Sequence, residues 1–390
     1  MPGSKKISLL RIGLLMERMV GFNHEVLQGI RDFAGPSRRW ACHFADPLPE
    51  NVSLVAEWGA AGMLAFLLDG EVSESIHRSG IPAVDVANWL PASKVPRVSV
   101  DDQAVGSLAA AYLMGLGLSD FAFAGNTDNA YAKSRMVGFL RKLEFEGHRP
   151  AVFYGNLARF PKASSSTLGP VDQELSEWLE SLPKPVGVFA VNDEMALAVS
   201  ECCHSVGLDV PDDVAILGVD NDPYLCALGY PPLSSIAIPS RKIGFEAASL
   251  LQRMMMGGTA RSEPLLIPPI TVIARQSTNI LAIEDPDLVA AVRFIRERPM
   301  ASLSVSDVVD HVPISRRTLE KLFMKHLGRS PHEEIQHVKM AEAQRLLAET
   351  DLTLEAVAKR TGFSSAPWFV SSFKQQFGIT PATYRRQFQR

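Results

Sequence analysis

Hydrophobic residues between positions 7 and 278 come in short continuous runs, separated by amphipathic stretches of helical length. The runs include ISLLRIGLL, GMLAFLL, FAFAG, GVFAVND and VAILGVD, and residues 103–116 and 134–146 are two of the amphipathic stretches. Strands that are apolar at nearly every position are buried on both faces, so this alternation predicts parallel sheets covered by helices. The strands are too numerous for one sheet of ordinary size. We therefore predict an α/β fold of two doubly wound lobes with a cleft between them.

The last ninety or so residues show a different pattern, because two of their segments repeat each other. Residues 303–331 and 352–381 align with an offset of 50 positions from the paired serines Ser315 and Ser365 onward. Toward the amino terminus the offset is 49, so the single-residue difference falls in a turn. Self-similarity at a fixed spacing, with the length difference in a loop, indicates two copies of one structural unit.

Each copy has the pattern helix, tight turn, helix. In the second copy an apolar face ends at Gly362, which is suited to terminate a helix, and Ser364 or Ser365 can cap the next helix. Phe369 and Phe373 then lie four positions apart on one face. A helix-turn-helix unit of this kind can place its second helix in the major groove of DNA. We predict such units at about 303–328 and 352–378.

Between the copies, Pro331–Glu349 contains no internal glycine or proline and predicts a linker helix. A helix of this length spans about 28 Å at 1.5 Å per residue. That length is close to the roughly 34 Å between successive major grooves on one face of B-DNA. One chain could therefore place two recognition helices in adjacent grooves of double-stranded DNA.

The tandem units, their spacing and the ending GITPATYRRQF resemble the AraC family of transcription regulators. The resemblance implies an all-α DNA-binding domain with two helix-turn-helix motifs, which we assign to residues 287–390. The second recognition helix departs from the family pattern, since relatives commonly have arginine where this chain has Ser371. We therefore expect the second copy to read A·T-rich sequence or DNA shape and to depend on phosphate contacts.

Particular side chains of the two units are candidates for contact with DNA. Arg316 and Arg317 lie in the first turn of the first recognition helix, where arginine can pair with guanine or contact phosphates only. Lys321 is expected at phosphates, and Arg385 and Arg386 are expected to anchor the DNA backbone. The predicted DNA-binding residues are Arg316, Arg317, Thr318, Lys321, Ser365, Ala366, Pro367, Val370, Ser371, Lys374, Arg385 and Arg386.

Four segments of the front part carry a second resemblance. SRMVGFLRKLEFEGH, VFAVNDEMALAV, VAILGVDND and PPLSSIAIPSRKIGFEAASLL are together similar to the effector fold of the lactose repressor and ribose-binding protein. The resemblance implies a two-lobed, type I periplasmic-binding-protein-like domain in which a sugar binds between hinged lobes. We predict this effector domain at residues 1–278 and a short linker at 279–286. A first strand that begins at Ile7 leaves no room for a preceding helix-turn-helix.

An effector domain followed by an AraC-type domain resembles the arrangement of xylose operon regulators. The resemblance implies a homodimeric activator of transcription that contacts RNA polymerase and takes D-xylose or another pentose as its effector. Two alternatives stay open: a regulator of a non-pentose or non-sugar ligand, and a solute-binding protein for transport. The transport reading requires export, and the first residues show no signal peptide, so we expect a cytoplasmic protein.

Ligands of open parallel sheets bind beyond the carboxyl ends of the strands. Sugar hydroxyls need carboxylate and amide acceptors, a donor such as arginine, and an aromatic face under the apolar side of the ring. Three candidates have a structural alternative to ligand binding: Asp193 and Asp101 could each cap the helix that follows, and Trp89 could be a packing residue. The predicted ligand-binding residues are Arg135, Asn192, Asp193 and Asp220, with Phe22 and Trp89 for stacking and Asp101 as a further candidate.

Charge and composition narrow the class of protein. The net charge is −4, but from Asp287 onward 16 lysines and arginines stand against 11 aspartates and glutamates, about +5, which leaves about −9 for the rest. The positive part coincides with the repeat, as phosphate contact requires. Asp193 and Asp220 are a possible carboxylate pair for glycoside hydrolysis, but no other catalytic motif accompanies them. We predict no enzyme, no cofactor, no metal site and no membrane-spanning helix.

Overall fold

The computed structural model describes residues 9–16, 21–38, 40–125, 129–155, 172–259, 263–280, 285–296, 298 and 303–388. Contacts divide the chain into two compact units. The first unit comprises residues 1–102, 127–134 and 238–269, and the second comprises residues 103–126, 135–237 and 270–390. Residues 7 and 8 of the predicted first strand and residues 281–284 of the predicted linker lie outside the described residues.

The first unit is built on a four-stranded parallel sheet with the order β2-β1-β3-β4. Its strands are β1 (Leu10–Leu15), β2 (Trp40–Ala45), β3 (Gly62–Ala65) and β4 (Ala83–Asp85). A separate parallel pair joins β5 (Val98–Val100) to β11 (Leu265–Ile267). The helices of this unit are α1 (Gly21–Arg38), α2 (Pro49–Glu57), α3 (Gly70–Ser79) and α9 (Ser240–Met255).

Glycines bring α1 and α9 unusually close. A Cβ on Gly29 would lie 1.8 Å from the carbonyl oxygen of Arg241, and a Cβ on Gly244 would lie 2.0 Å from that of Val26. No larger residue fits at either position without backbone movement, because real Cβ atoms do not approach other atoms this closely. The two helices therefore pack backbone to backbone.

The second unit contains a six-stranded sheet with the order β12-β10-β9-β8-β6-β7. All its pairs are parallel except the antiparallel pair of β12 with β10. The strands are β6 (Asp120–Ala124), β7 (Ala151–Phe153), β8 (Val186–Ala190), β9 (Val214–Val219), β10 (Ser234–Ala237) and β12 (Thr271–Ile273). The helices α4 (Asp102–Met114), α5 (Ala130–Phe145), α6 (Gln173–Ser181), α7 (Asp193–Ser205) and α8 (Pro223–Leu228) accompany them.

The C-terminal part of the second unit is entirely helical. Its helices are α10 (Pro286–Arg296), α11 (Val305–His311), α12 (Arg316–Leu327), α13 (Pro331–Glu349), α14 (Leu354–Arg360), α15 (Ala366–Phe377) and α16 (Pro381–Phe388). The helix pairs α11–α12 and α14–α15 are the two predicted helix-turn-helix units, and α13 has the predicted bounds of the linker helix. Ser315 and Ser365 cap their helices, and Gly328 and Gly378 end them in left-handed conformation, so the repeat extends to the caps.

Each helix-turn-helix unit has its own hydrophobic core. Leu319 and Phe323 are fully buried in the first core, and Phe369 and Phe373 occupy the same places in the second. The linker helix α13 contributes to both, with Ile335 in the first core and residues from Met340 to Leu347 in the second. Because α13 is shared, it fixes the two units relative to each other.

Candidate functional site

The fold brings Arg135 and Asp220 together at the carboxyl ends of the second sheet. Asp220 directly follows β9, and Arg135 lies in the second turn of α5. One guanidinium nitrogen of the buried Arg135 donates to the carbonyl oxygen of Val191 at 2.6 Å, and another lies 3.6 Å from the Asp220 carboxylate. The Asp220 side chain is partly exposed. The pair therefore offers an acceptor for a ligand hydroxyl beside a fixed positive charge.

The backbone at this strand end is strained. Asp220 and Asn221 have φ values of 105° and 52°, which residues other than glycine rarely adopt. Arg275 donates to the side-chain oxygen of Asn221 at 2.7 Å, and the Asn221 amide donates to the Ser235 hydroxyl at 2.9 Å. Sequence reasoning missed Asn221 and Arg275. The signal for Asn221 was an Asp-Asn pair directly after a strand, since both types tolerate left-handed backbone.

Asn192 and Asp193 begin helix α7. The Asn192 side-chain oxygen accepts from the Met195 amide at 2.9 Å, so Asn192 is the cap, and the alternative reading of Asp193 as the cap is wrong. Asp193 is only 1% exposed, and its carboxylate accepts from the Asp222 amide at 2.8 Å. Burial raises the pKa of Asp193 to about 6, although hydrogen bonds oppose the shift. Ligand contact by Asn192 and Asp193 stays a prediction.

Phe22, Trp89 and Asp101 belong to the first compact unit, whereas the other four predicted ligand-binding residues belong to the second. Phe22 is half-buried, and its ring meets Phe66 edge-on at 5.8 Å. Trp89 is also half-buried, with its ring 5.7 Å from that of Tyr131. Asp101 directly precedes helix α4. Roles in stacking and binding stay predictions for these three residues.

A buried ionic network fixes the segment around Trp89. Arg97 donates to the fully buried Asp85 carboxylate at 2.9 Å, to the Asn88 side-chain oxygen at 2.7 Å and to the Leu90 carbonyl at 2.9 Å. Both chain neighbours of Trp89 are therefore held by one guanidinium. Burial raises the pKa of Asp85 to about 6, against the attraction of Arg97. No local motif marked this network, because its members, between Asp85 and Arg97, follow no regular spacing.

The first recognition helix, α12, presents the side chains predicted for it. Arg316, Arg317, Thr318 and Lys321 are all exposed. Arg316 forms an ion pair with Glu320 one turn later at 3.0 Å, with both side chains largely in solvent. Such a pair contributes little to stability, so it leaves the guanidinium available to DNA.

The second recognition helix, α15, differs in part from the prediction. Ser365, Pro367, Ser371 and Lys374 are exposed as expected. Ala366 and Val370 are half-buried against the second helical core, so they are poorly placed for the predicted contact with DNA. Trp368, which sequence reasoning left out, is exposed on this helix.

The two predicted backbone anchors at the end of the chain have different surroundings. Arg386 is exposed on α16. The Arg385 guanidinium is half-buried and donates to the Leu352 carbonyl, which ties α16 to the start of the second helix-turn-helix unit. The contact uses one nitrogen of the Arg385 guanidinium inside the domain, and DNA contact by both arginines stays a prediction.

Two protein families match this chain. A periplasmic binding protein-like domain matches residues 110–278, and a helix-turn-helix domain matches residues 308–387. The xylose operon regulatory protein of Haemophilus influenzae is 29% identical over 385 residues, which cover 96% of this chain and 98% of that protein. The protein of the same name from Escherichia coli K12 is 28% identical over 383 residues, which cover 96% of each chain.

Solved structures of transcription regulators are also similar to this chain. The structure of a xylose-binding transcription activator aligns with a TM-score of 0.62 and 26% identity, over 98% of this chain and 100% of that one. A ribose-bound LacI-family regulator from Enterococcus faecium aligns with a TM-score of 0.56 over 69% of this chain and 98% of that one. At 23% identity the latter supports the effector fold alone.

This chain is a homologue of the xylose operon regulatory proteins. Both resemblances drawn from the sequence are confirmed, and so is the periplasmic-binding-protein-like fold followed by a helical helix-turn-helix domain. The homologues regulate transcription and are not enzymes, so the reading of Asp193 and Asp220 as a hydrolytic pair is set aside. Among the described residues, none of the helices combines the length and the apolar character needed to cross a bilayer.

Within the second unit, a buried carboxylate joins the effector part to the DNA-binding helices. Glu334 on α13 is fully buried and pairs with Arg296 at 3.0 Å and with Arg329 at 2.5 Å. Arg329 also reaches the Gly115 carbonyl, after α4, and Arg296 reaches the Ile280 carbonyl, both at 3.5 Å. Burial alone would raise the pKa of Glu334, but the two arginines lower it overall. The carboxylate is therefore charged where helices and effector segments meet.

Proposed function

We propose that this chain regulates sugar-catabolic genes by binding DNA through its two helix-turn-helix units under the control of D-xylose or another pentose. One observation carries the proposal. Arg135 and Asp220 converge at the strand ends of a sugar-binding type of fold, in a chain whose tail exposes two recognition helices. The xylose operon regulatory proteins, which match 96% of this chain, support the same combination.

The chemistry of the Arg135–Asp220 pair suits a sugar. The partly exposed Asp220 carboxylate can accept one or two hydroxyl protons. Arg135 is held by the Val191 carbonyl and can donate without losing further side-chain entropy. Trp89 stays a predicted stacking residue, and within the first unit Arg97 keeps the Trp89 segment in place.

The mode of regulation follows from these parts. Sugar binding favours one arrangement of the effector lobes, and in a homodimer that arrangement decides which pairs of DNA half-sites the two chains span together. Binding both half-sites at once gains from effective concentration. We propose that the dimer acts in the cytoplasm as an activator that contacts RNA polymerase.

Thermal unfolding with a panel of sugars tests the effector. D-Xylose at about 100 times its dissociation constant should stabilise the chain by about 2.7 kcal/mol, which raises the melting temperature by about 5–10 °C for a unit of this size. Arg135→Gln and Asp220→Asn should abolish the shift. Phe145→Ala, at an exposed residue that ends helix α5 ten residues after Arg135, should keep it.

The same panel separates the alternatives. A shift with a hexose or a purine and none with any pentose would replace the proposed effector while leaving the regulator intact. DNA binding is tested by fluorescence anisotropy with duplexes selected from a random pool, where Arg316→Ala should weaken binding by about 1–3 kcal/mol if the side chain pairs with guanine. A chain that enriches no duplex at low salt would contradict the proposal.

A further inference from the structure

Trp368 stands out on the second recognition helix because of where the helix buries its other aromatic residues. Phe369 and Phe373 are fully buried and define the inward face of α15. Trp368, Ser371 and Gln375 recur at intervals of three and four residues and are all exposed, so they form one outward stripe. Trp368 is 58% exposed at the start of that stripe.

The repeat places Trp368 at a base-reading position. At the offset of 50, Trp368 corresponds to Thr318 of the first recognition helix. Both residues come three positions after their serine caps, and both amides donate to the cap hydroxyl, at 3.3 Å for Trp368 and 3.2 Å for Thr318. Side chains in the first turn of a recognition helix reach base edges in the major groove.

The exposed side chains next to Trp368 on this helix favour an apolar contact with the base at this position. The Ser371 hydroxyl donates to the Trp368 carbonyl at 3.0 Å, so its proton is used inside the helix. Pro367 has a purely apolar side chain, and Lys374, one turn further, is a charge suited to phosphate. The apolar group that a base edge presents in the major groove is the 5-methyl group of thymine.

We propose that Trp368 is the principal base-reading residue of the second helix-turn-helix unit and that it recognises thymine through the 5-methyl group. The inference rests on the proposed DNA binding. It gives the two units different chemistries, because the first presents Arg316 and Arg317 at its helix start and the second presents an indole. One chain then reads a site whose two parts differ in composition.

Uracil scanning tests the assignment, because uracil differs from thymine only by the missing methyl group. Duplexes are selected from a random pool by the full chain, and each thymine of the selected site is then replaced by uracil, one at a time. Wild-type affinity should fall about fourfold at each methyl that is contacted, from the usual effect of burying one carbon. Trp368→Ala should bind more weakly and should lose the penalty at those same positions.

Two variants serve as controls. Trp368→Phe keeps an aromatic face and should retain most of the uracil penalty, and Tyr224→Ala removes an exposed aromatic side chain far along the sequence and should change nothing. A uracil penalty that is absent in the wild type, or that survives unchanged in Trp368→Ala, would overturn the assignment and leave the proposed regulator standing. Failure to enrich any duplex would overturn both.

Discussion

Replacing Glu334 by glutamine should destabilise the second unit far more than an ordinary loss of one charge. The Glu334 carboxylate is fully buried, while the side chains of its partners Arg296 and Arg329 are only 16% and 24% exposed. Removing one member of a buried ion pair costs about 3–5 kcal/mol because it leaves uncompensated charge. Partial solvation of both arginines places the expected loss near the lower end, at about 3 kcal/mol.

The loss can be measured by thermal unfolding at neutral pH. For a unit of this size, each kcal/mol corresponds to about 2–4 °C, so Glu334→Gln should lower the melting temperature by about 6–12 °C. The matched control is Glu320→Gln, which removes the carboxylate of an exposed ion pair with Arg316. That control should stay within about 0.5 kcal/mol of wild type.

The dependence of stability on pH provides a second test of the Glu334 ion pairs. The pKa of Glu334 is lowered in the folded state, so its stabilisation is fully present above the unfolded pKa and is lost as pH falls through the folded value. The difference between wild type and Glu334→Gln should therefore shrink below about pH 4. A double-mutant cycle with Arg296→Gln should show a coupling of about 1–3 kcal/mol. Equal effects of Glu334→Gln and Glu320→Gln would refute the reasoning.

Three further predictions follow from other parts of the structure. Gly106→Ala places a Cβ 2.0 Å from the Arg135 carbonyl oxygen, so it should lower the free energy of unfolding in urea by about 1–3 kcal/mol and weaken the sugar response. Gly70→Ala is the control and should leave both unchanged, because there is open space around Gly70. Burial raises the Asp193 pKa to about 6, so the wild type loses stability as pH rises from 4 to 6, and the free energy of unfolding of Asp193→Asn should increase by about 3 kcal/mol relative to wild type over that range. A difference between the two proteins in urea unfolding that does not change with pH would contradict this. Lys374→Ala should reduce the slope of log affinity against log salt by about one in anisotropy titrations, and an unchanged slope would exclude phosphate contact by this residue.

The features that the sequence predicted are those that local periodicity determines. Continuous apolar runs located the main strands of both sheets, and the repeat located α11, α12, α14 and α15, as well as α13 with its bounds. Capping serines and C-terminal glycines act within four or five residues, so they could be read directly. The edge strand β2 was not predicted, because three of its six residues are exposed and its sequence therefore lacks the continuous apolar run of a buried strand.

Parts of the candidate site escaped for a different reason. Arg97, Asn221 and Arg275 owe their positions to partners 7 to 54 residues away, and no spacing rule connects them. Ala366 and Val370 pack against the second core because each lies three positions before a buried phenylalanine, Phe369 or Phe373. Trp368 was not predicted as a site residue because an aromatic residue beside Phe369 is expected to be buried in the core, whereas Trp368 is exposed.

The stretch ITVIARQST, residues 270–278, begins like a buried strand but does not continue as one. The strand ends at Ile273, and Gln276–Thr278 forms a short 3₁₀ turn. Between these, Arg275 turns back to hold Asn221 in its left-handed conformation beside Asp220, while Thr271 at the other end bonds Gln344 of α13 at 3.2 Å. A five-residue stretch therefore contacts both the candidate sugar site and the linker helix of the DNA-binding part. The end of the strand at Ile273 is thus accompanied by contacts with residues distant in the sequence, which no local pattern could predict.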